Sequence, residues 1–342
     1  MRKSLLFLVL VVSMALMLCF SANAMSGSGT EADPYIVESA EDFVAIKDNN
    51  SKYYKLNADI SVSSTTGAIV ESFSGVFDGN GKIITVTIDA PATTATNTFD
   101  SLFGVVSGSG VIKNVTVKGS IKGGDKVAGI AGKLTDTASV QNCVNYASIN
   151  GRKNIGGIVG LILNSATIKN CVNYGEITSG DTIKSGNDAG GIVGCVWEAN
   201  GDIVTISNCL NTGTVHTKGQ NAGGICGFFY GGSIENCFNT GKTITDDKST
   251  VSNGGIYGRS ERWNGHSYIV TGYFSCAGDP LVGYEDGDVV LNDPMIESTG
   301  VAIYLGKGSG IRGEFHFPKA LFDFFSSVST LDLSILEYGC VV

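Results

Sequence analysis

The chain has 342 residues with a formal net charge of −9, of which 16% are charged and 43% hydrophobic, and it holds 47 glycines, 5 prolines and 9 cysteines. The acidic balance argues against a phosphate-backbone partner, which needs a basic surface, so no nucleic acid is expected. Abundant glycine with little proline fits a turn-rich β architecture with ample apolar material for a core.

The amino terminus places Arg2 and Lys3 before an apolar run from Leu5 to Phe20, then Ser21-Ala22-Asn23-Ala24 with an Ala-x-Ala ending. This predicts a signal peptide over 1–24, cleavage after Ala24 and a secreted or cell-surface protein beginning at Met25. A lipid anchor on Cys19 is the rival reading, disfavoured by the bulky Leu16-Met17-Leu18 ahead of it. Loss of Arg2 and Lys3 takes the formal charge from −9 to −11. No other stretch approaches the roughly 20 apolar residues of a span, so no membrane insertion is expected after signal removal.

Residues 25–100 are expected to form an N-terminal cap and the first coils. Ser39 to Asp48 carries the only early helical pattern, with Ser39 as N-cap, Asp42 three residues on, and Phe43 and Ile46 spaced to cover an open end. From 101 to 294 the chain repeats. Gly-Ile-x-Gly occurs at Gly129, Gly157, Gly191, Gly224 and Gly255, at intervals of 28, 34, 33 and 31 residues. Asn-Cys-x-Asn follows at Asn142, Asn170, Asn208 and Asn236, and a degenerate copy runs from Leu102-Phe103-Gly104 to Ile112–Val117. About six repeat coils are counted, with a worn phrase at Ser275-Cys276.

Units of this length could be helical hairpins, but these are short β-branched runs between Gly, Asn, Asp and Ser. The spacing predicts an all-β protein: a right-handed parallel β-helix, or β-solenoid, of about three short strands per coil, stacked at roughly 4.8 Å. Inward Ile, Val and Cys then become core columns, and turn asparagines become amide ladders. The tetrad glycines mark either corners of positive φ or places that admit no Cβ. Cysteines recurring at one repeat position read as buried free thiols, with disulfides between coils as the rival, because in-register stacking is usually wrong for the dihedral. Cys195 and Cys226 are read the same way.

Candidate chemistry is sparse. Asp125, Asp136, Glu176, Asp181, Asp188, Glu198, Asp202, Glu235, Asp246 and Asp247 form no recurring pair and read as solvated turn residues, so no catalytic residue is assigned. Glu285-Asp286-Gly287-Asp288 with Asn292-Asp293 has oxygen ligands but not the spacing of a calcium loop, and reads as a linker turn. His216, His266 and His316 are scattered, and neither metal nor cofactor is expected. Trp197, Phe228, Phe229, Tyr230, Trp263 and Tyr268 each follow a tetrad. Trp197, Phe229, Tyr230, Trp263 and Tyr268 are the candidate ligand-binding residues, a platform for sugar rings or a protein partner, against the alternative that they cover the core at long turns. From 295 to 342 the chain leaves the repeat, and a small β-rich module around a helical segment from Pro318 to Ser326 is expected.

The tetrad followed by Asn-Cys-x-Asn-x-Gly resembles the GLUG motif repeats over roughly 101 to 278. Such repeats occur in bacterial and archaeal secreted and surface proteins, including regions flanking the catalytic part of some immunoglobulin A1 proteases, whose zinc helix with its His-Glu-x-x-His has no counterpart here. The tail resembles a β-rich module of clostridial-type surface proteins, in which more sequence follows. The resemblance implies an extracellular scaffold or adhesive region. The expected function is therefore non-enzymatic binding of an extracellular glycan or protein. A polysaccharide lyase or hydrolase and a passive surface spacer are the alternatives.

Overall fold

The computed structural model describes residues 25–91, 98–180, 187–197, 204–246 and 253–261, together with the strands 268–271, 274–275, 282–286 and 290–291. Its strands pair in parallel throughout, into a ten-, an eight-, a twelve- and a four-stranded sheet that run along one rod. One coil shows the path. Val159–Leu163 lies in the eight-stranded sheet, Thr167–Lys169 in the ten-stranded, Val172–Asn173 and Ile177–Ser179 in the twelve-stranded, and Asp188–Gly190 in the four-stranded. Ten strands make nine steps, so at ~4.8 Å each the rod is about 43 Å long, more than the six repeat coils alone would span.

The N-terminal end is closed by a helix, Ala40–Ala45, continued by a 3-10 turn, Ile46–Asn49. Ser39 Oγ accepts from the Asp42 amide at 3.1 Å, and Asp42 Oδ2 accepts from the Ser39 amide at 3.1 Å. That reciprocal box fixes so short a helix. Phe43 is driven into the end of the core, edge-on to Phe77 at 5.4 Å and to Phe103 at 5.5 Å. Phe73 and Tyr54 complete the plug, and burial pushes the Tyr54 hydroxyl up to about 12 while it donates to the Asn49 carbonyl at 2.8 Å. Each fully buried aromatic stabilises by roughly 1.5–3 kcal/mol.

Within the repeats one polar column runs through the interior. Asn145, Asn173, Asn211 and Asn239 are fully buried, and each of the first three donates its amide to the carbonyl oxygen of the next at 2.8 Å. The second amide hydrogen of each goes to a backbone carbonyl two residues on, at Ala147, Gly175, Gly213 and Gly241. Burying four amides is tolerable only because these bonds are made. The first tetrad glycines lie against this column. A Cβ on Gly157 would stand 2.5 Å from the Asn173 side chain, and one on Gly191 2.2 Å from Asn211.

This decides between the two roles open to the tetrad glycines: they are sites without room for a Cβ, and positive φ falls elsewhere. It is carried by the asparagines that precede the four cysteines, Asn142, Asn170, Asn208 and Asn236, and by Asn114 before Val115 in the degenerate copy, at 51° to 57°. The side chains of Asn114, Asn142, Asn170 and Asn208 form a second, outer ladder at 3.0–3.2 Å from coil to coil. Asparagine tolerates that conformation better than other non-glycine residues. The four cysteines between the ladders are fully buried free thiols, each donating to the carbonyl two residues earlier at 3.2–3.3 Å. Burial raises the thiols of Cys171, Cys209 and Cys237 well above the ordinary range.

The four-stranded sheet corrects the expectation of three strands per coil. Its members, Ile155–Gly156, Asp188–Gly190, Asn221–Gly223 and Asn253–Gly254, lie across the start of the eight-stranded sheet. Contact is between backbones: a Cβ on Gly190 would sit 1.9 Å from the Val193 carbonyl oxygen, and one on Gly227 2.7 Å from the Ala189 amide. The second tetrad glycine therefore admits another strand. Two acids read as solvated are buried here. Asp125 is held by Arg152 at 2.9 Å. Asp188 accepts from Asn221 Nδ2 at 2.6 Å, with Arg259, Lys153 and the thiols of Cys195 and Cys226 around it. Desolvation pushes Asp188 up to about 6, against an ordinary 3.8, while the Asn221 bond and the two cations oppose the shift.

Gly191→Val is expected to cost at least about 3 kcal/mol, because the Asn211 side chain and the Gly224 carbonyl both stand 2.2 Å from the new Cβ; thermal unfolding of the purified variant checks it. Asp188 should also leave a signature in pH. The folded chain holds its proton up to about pH 6 and the unfolded chain releases it near 3.8, so stability from this group rises as pH falls through 6. Denaturant unfolding at pH 7.5 and 5 should show about 1.4 kcal/mol of that gain in the parent chain and lose it in Asp188→Asn.

Candidate functional site

The in-register strands of the eight-stranded sheet set out rows of outward side chains. One row runs Lys133, Leu161, Cys195, Phe228, Arg259 across successive coils. Beside it, Leu163 lies opposite Trp197, and Tyr230 follows on the next coil. Leu161, Cys195, Phe228 and Tyr230 form an apolar cluster separate from the core, with Leu163 packed against it. Trp197 stacks on Tyr230 with ring centroids 4.9 Å apart and planes 1° from parallel. Phe228 is tilted to both, at 6.1 and 5.7 Å, and the Arg259 guanidinium lies 5.9 Å from the Phe228 ring centre. Trp197 is 50% exposed, whereas Tyr230 is 5% exposed.

The residues selected in sequence separate on this geometry. Trp197 and Tyr230 meet, and Phe228 joins them. Phe229 does not, because it is fully buried and packs 6.1 Å from Tyr257 in the main core. Its column is Leu134, Ile162 and Val196, all inward. The strands do not alternate simply from the tetrad: Val193 and Val196 both point inward because Gly194 between them faces the four-stranded sheet. Aligning the tetrads column by column would have exposed that parity. Tyr268 begins the strand Tyr268–Thr271, which pairs with Gly232–Glu235 in the ten-stranded sheet, so its backbone belongs to another face. Trp263 lies outside the described residues.

Stacking has a cost for a sugar platform. One face of Trp197 is taken by Tyr230, so what meets solvent is the ring edge and the side toward Leu163. A second aromatic ladder, missed in sequence because its members end the cysteine phrase, lies on the twelve-stranded sheet. There Tyr146 stacks on Tyr174 at 4.6 Å and 7°, and Lys118 lies 5.6 Å from the Tyr146 ring centre.

The acids have individual partners. Asp136 accepts from the Gly108 amide at 2.8 Å, and Asp246 meets His216 Nε2 at 3.0 Å. Glu285 and Asp286 fall in a strand, Val282–Asp286, rather than in a turn. Asp181, Glu198, Asp202, Asp247, Asp288, Asn292, Asp293, His266 and His316 lie outside the described residues. Among the described residues no three acidic, histidine or cysteine side chains come together as a metal site, and no helix is long and apolar enough to cross a membrane.

Comparison with known proteins adds a motif match and a likeness of fold. Residues 218–245 match the model of the GLUG motif, on the coil that carries Phe228 and Tyr230. Halomucin of Haloquadratum walsbyi is 30% identical over 33% of this chain, which spans about 2% of that protein's length. A crystal structure named for an immunoglobulin A1 protease of Bacteroides ovatus superposes with a TM-score of 0.54, covering 76% of this chain and 86% of that one at 22% identity. That likeness speaks for the fold alone. Residues 218–245 thus carry the GLUG motif, and the same tetrad and cysteine phrase recur on the neighbouring coils.

Proposed function

We propose that this is a secreted or cell-surface solenoid, without catalytic activity, that binds an extracellular glycan or protein on the outer face of its eight-stranded sheet. One observation carries the reading: Trp197, half in solvent, is held rigidly on a stacked tyrosine over an apolar cluster that the core does not need. A preorganised indole of that kind offers contact area at little entropic cost. The export signal over 1–24 and the similarity to halomucin support an extracellular setting. A right-handed winding is part of the proposal, since parallel crossovers take that hand almost without exception.

Trp197→Ala should weaken retention on a panel of immobilised polysaccharides and glycoproteins at least ten-fold, while moving thermal unfolding by no more than about 1 kcal/mol. Tyr146→Ala, on the other aromatic ladder, should leave retention unchanged. Equal retention by the parent chain and Trp197→Ala would overturn the assignment.

A further inference from the structure

Three lysines gather at the N-terminal end of the same face. Lys126 and Lys153 sit on adjacent coils, joined where the Lys126 amide donates to the Lys153 carbonyl at 2.7 Å and where Asp125 pairs in register with Lys153. The Lys126 backbone lies over the tetrad glycines: a Cβ on Gly132 would stand 2.9 Å from the Lys126 carbonyl oxygen, and one on Gly160 2.8 Å from its carbonyl carbon. Those glycines directly precede Lys133 and Leu161, the first two members of the outward row that continues through Cys195 to Phe228. The Lys126 ammonium is 5.3 Å from the Phe99 ring centre. Its pKa is lowered, by burial first; Asp125 opposes the shift, and Lys133 and Lys153 add to it, so both lie within electrostatic reach of Lys126.

The acids nearby are outnumbered. Asp125 attracts Lys126 but is also paired with Arg152 at 2.9 Å, and Asp188, buried against Asn221, is shared between Lys153 and Arg259. On a chain of net charge −9, a local excess of lysine beside an exposed indole is a departure from the average surface. Leu161 and Leu163 connect the two parts: Lys133 pairs with Leu161 one coil on, and Leu163 with Trp197 one coil further. Strands stacked at roughly 4.8 Å present these groups at intervals comparable to one sugar ring.

Resting on the binding reading above, we propose that the ligand of this face is an anionic polysaccharide bearing carboxylate or sulfate groups, its charges held by Lys133 and Lys153 and its ring carbons packed against Trp197. The lysines supply long-range attraction and register, and the indole supplies the sugar contact. An acidic protein segment would use the lysines without needing the indole.

The test measures binding of the mature chain to polygalacturonate, dextran sulfate, uncharged dextran and poly-glutamate, at low and at physiological salt. Variants are Lys133→Glu/Lys153→Glu, its milder counterpart Lys133→Gln/Lys153→Gln, and Trp197→Ala, with thermal unfolding as the check on folding. Expected is salt-sensitive binding to one or both anionic polysaccharides, reduced more than ten-fold by the charge reversal, several-fold by the glutamine pair and at least ten-fold by Trp197→Ala. Binding of uncharged dextran that depends on Trp197 but not on the lysines would overturn the anionic ligand and leave the general binding role standing. Poly-glutamate held as tightly, through the lysines alone, would overturn the sugar in favour of an acidic protein. No retention of any of the four polymers would overturn the anionic polysaccharide, and retention on the wider glycoprotein panel would then decide the general role separately.

Discussion

Everything in this rod depends on equivalent residues standing directly above one another. The buried asparagine column is where the requirement is strictest, because each amide has one partner above it and one on its own coil, at distances that allow no slip. A shift of one residue in any strand would move every side chain to the other face and leave an amide pair without partners in the interior. The tetrad glycines follow from the column, since a methyl at Gly157 or Gly191 would occupy the space of the asparagine. Ladder and tetrad therefore recur together in the sequence because they are two sides of one contact.

The same constraint explains how much could be read without coordinates. Repetition is visible in one chain, so the parallel stacking, the amide ladders and the buried thiols were all legible. So was the helix at Ser39, where a capping box marks itself by spacing alone. The fourth sheet was not legible. Its strands are two or three residues long, built from Gly, Ala, Asn and Asp that signal turns, and they exist because a neighbouring backbone offers a glycine-lined surface rather than because of their own propensity.

The candidate site was half legible for a related reason. Trp197 and Tyr230 stand out as large aromatics in columns otherwise aliphatic or polar, but Phe229 is equally conspicuous and points the other way. Its direction is set by the step around Gly227, a tertiary contact that period-two alternation does not encode. Lys126, Lys133 and Lys153 escape notice because none recurs at its repeat position. What is common to all coils carries the fold, and repeat analysis by design finds that; the residues of the proposed binding face are each peculiar to one coil, and it passes over them.

The aromatic plug at the N-terminal end gives the rod a direction. Phe43 fills the first coil from below, against Phe77 and Phe103, and nothing could be threaded beneath it without leaving those rings bare. Within the repeats a coil rests on the strands of the coil before it, so duplicating a 28-residue unit, such as the interval from Gly129 to Gly157, sets like on like and keeps each column in register. Lineages of this protein should therefore have lengthened and shortened by whole coils on the carboxyl side of the plug, with the capped end as the fixed origin from which coils are counted.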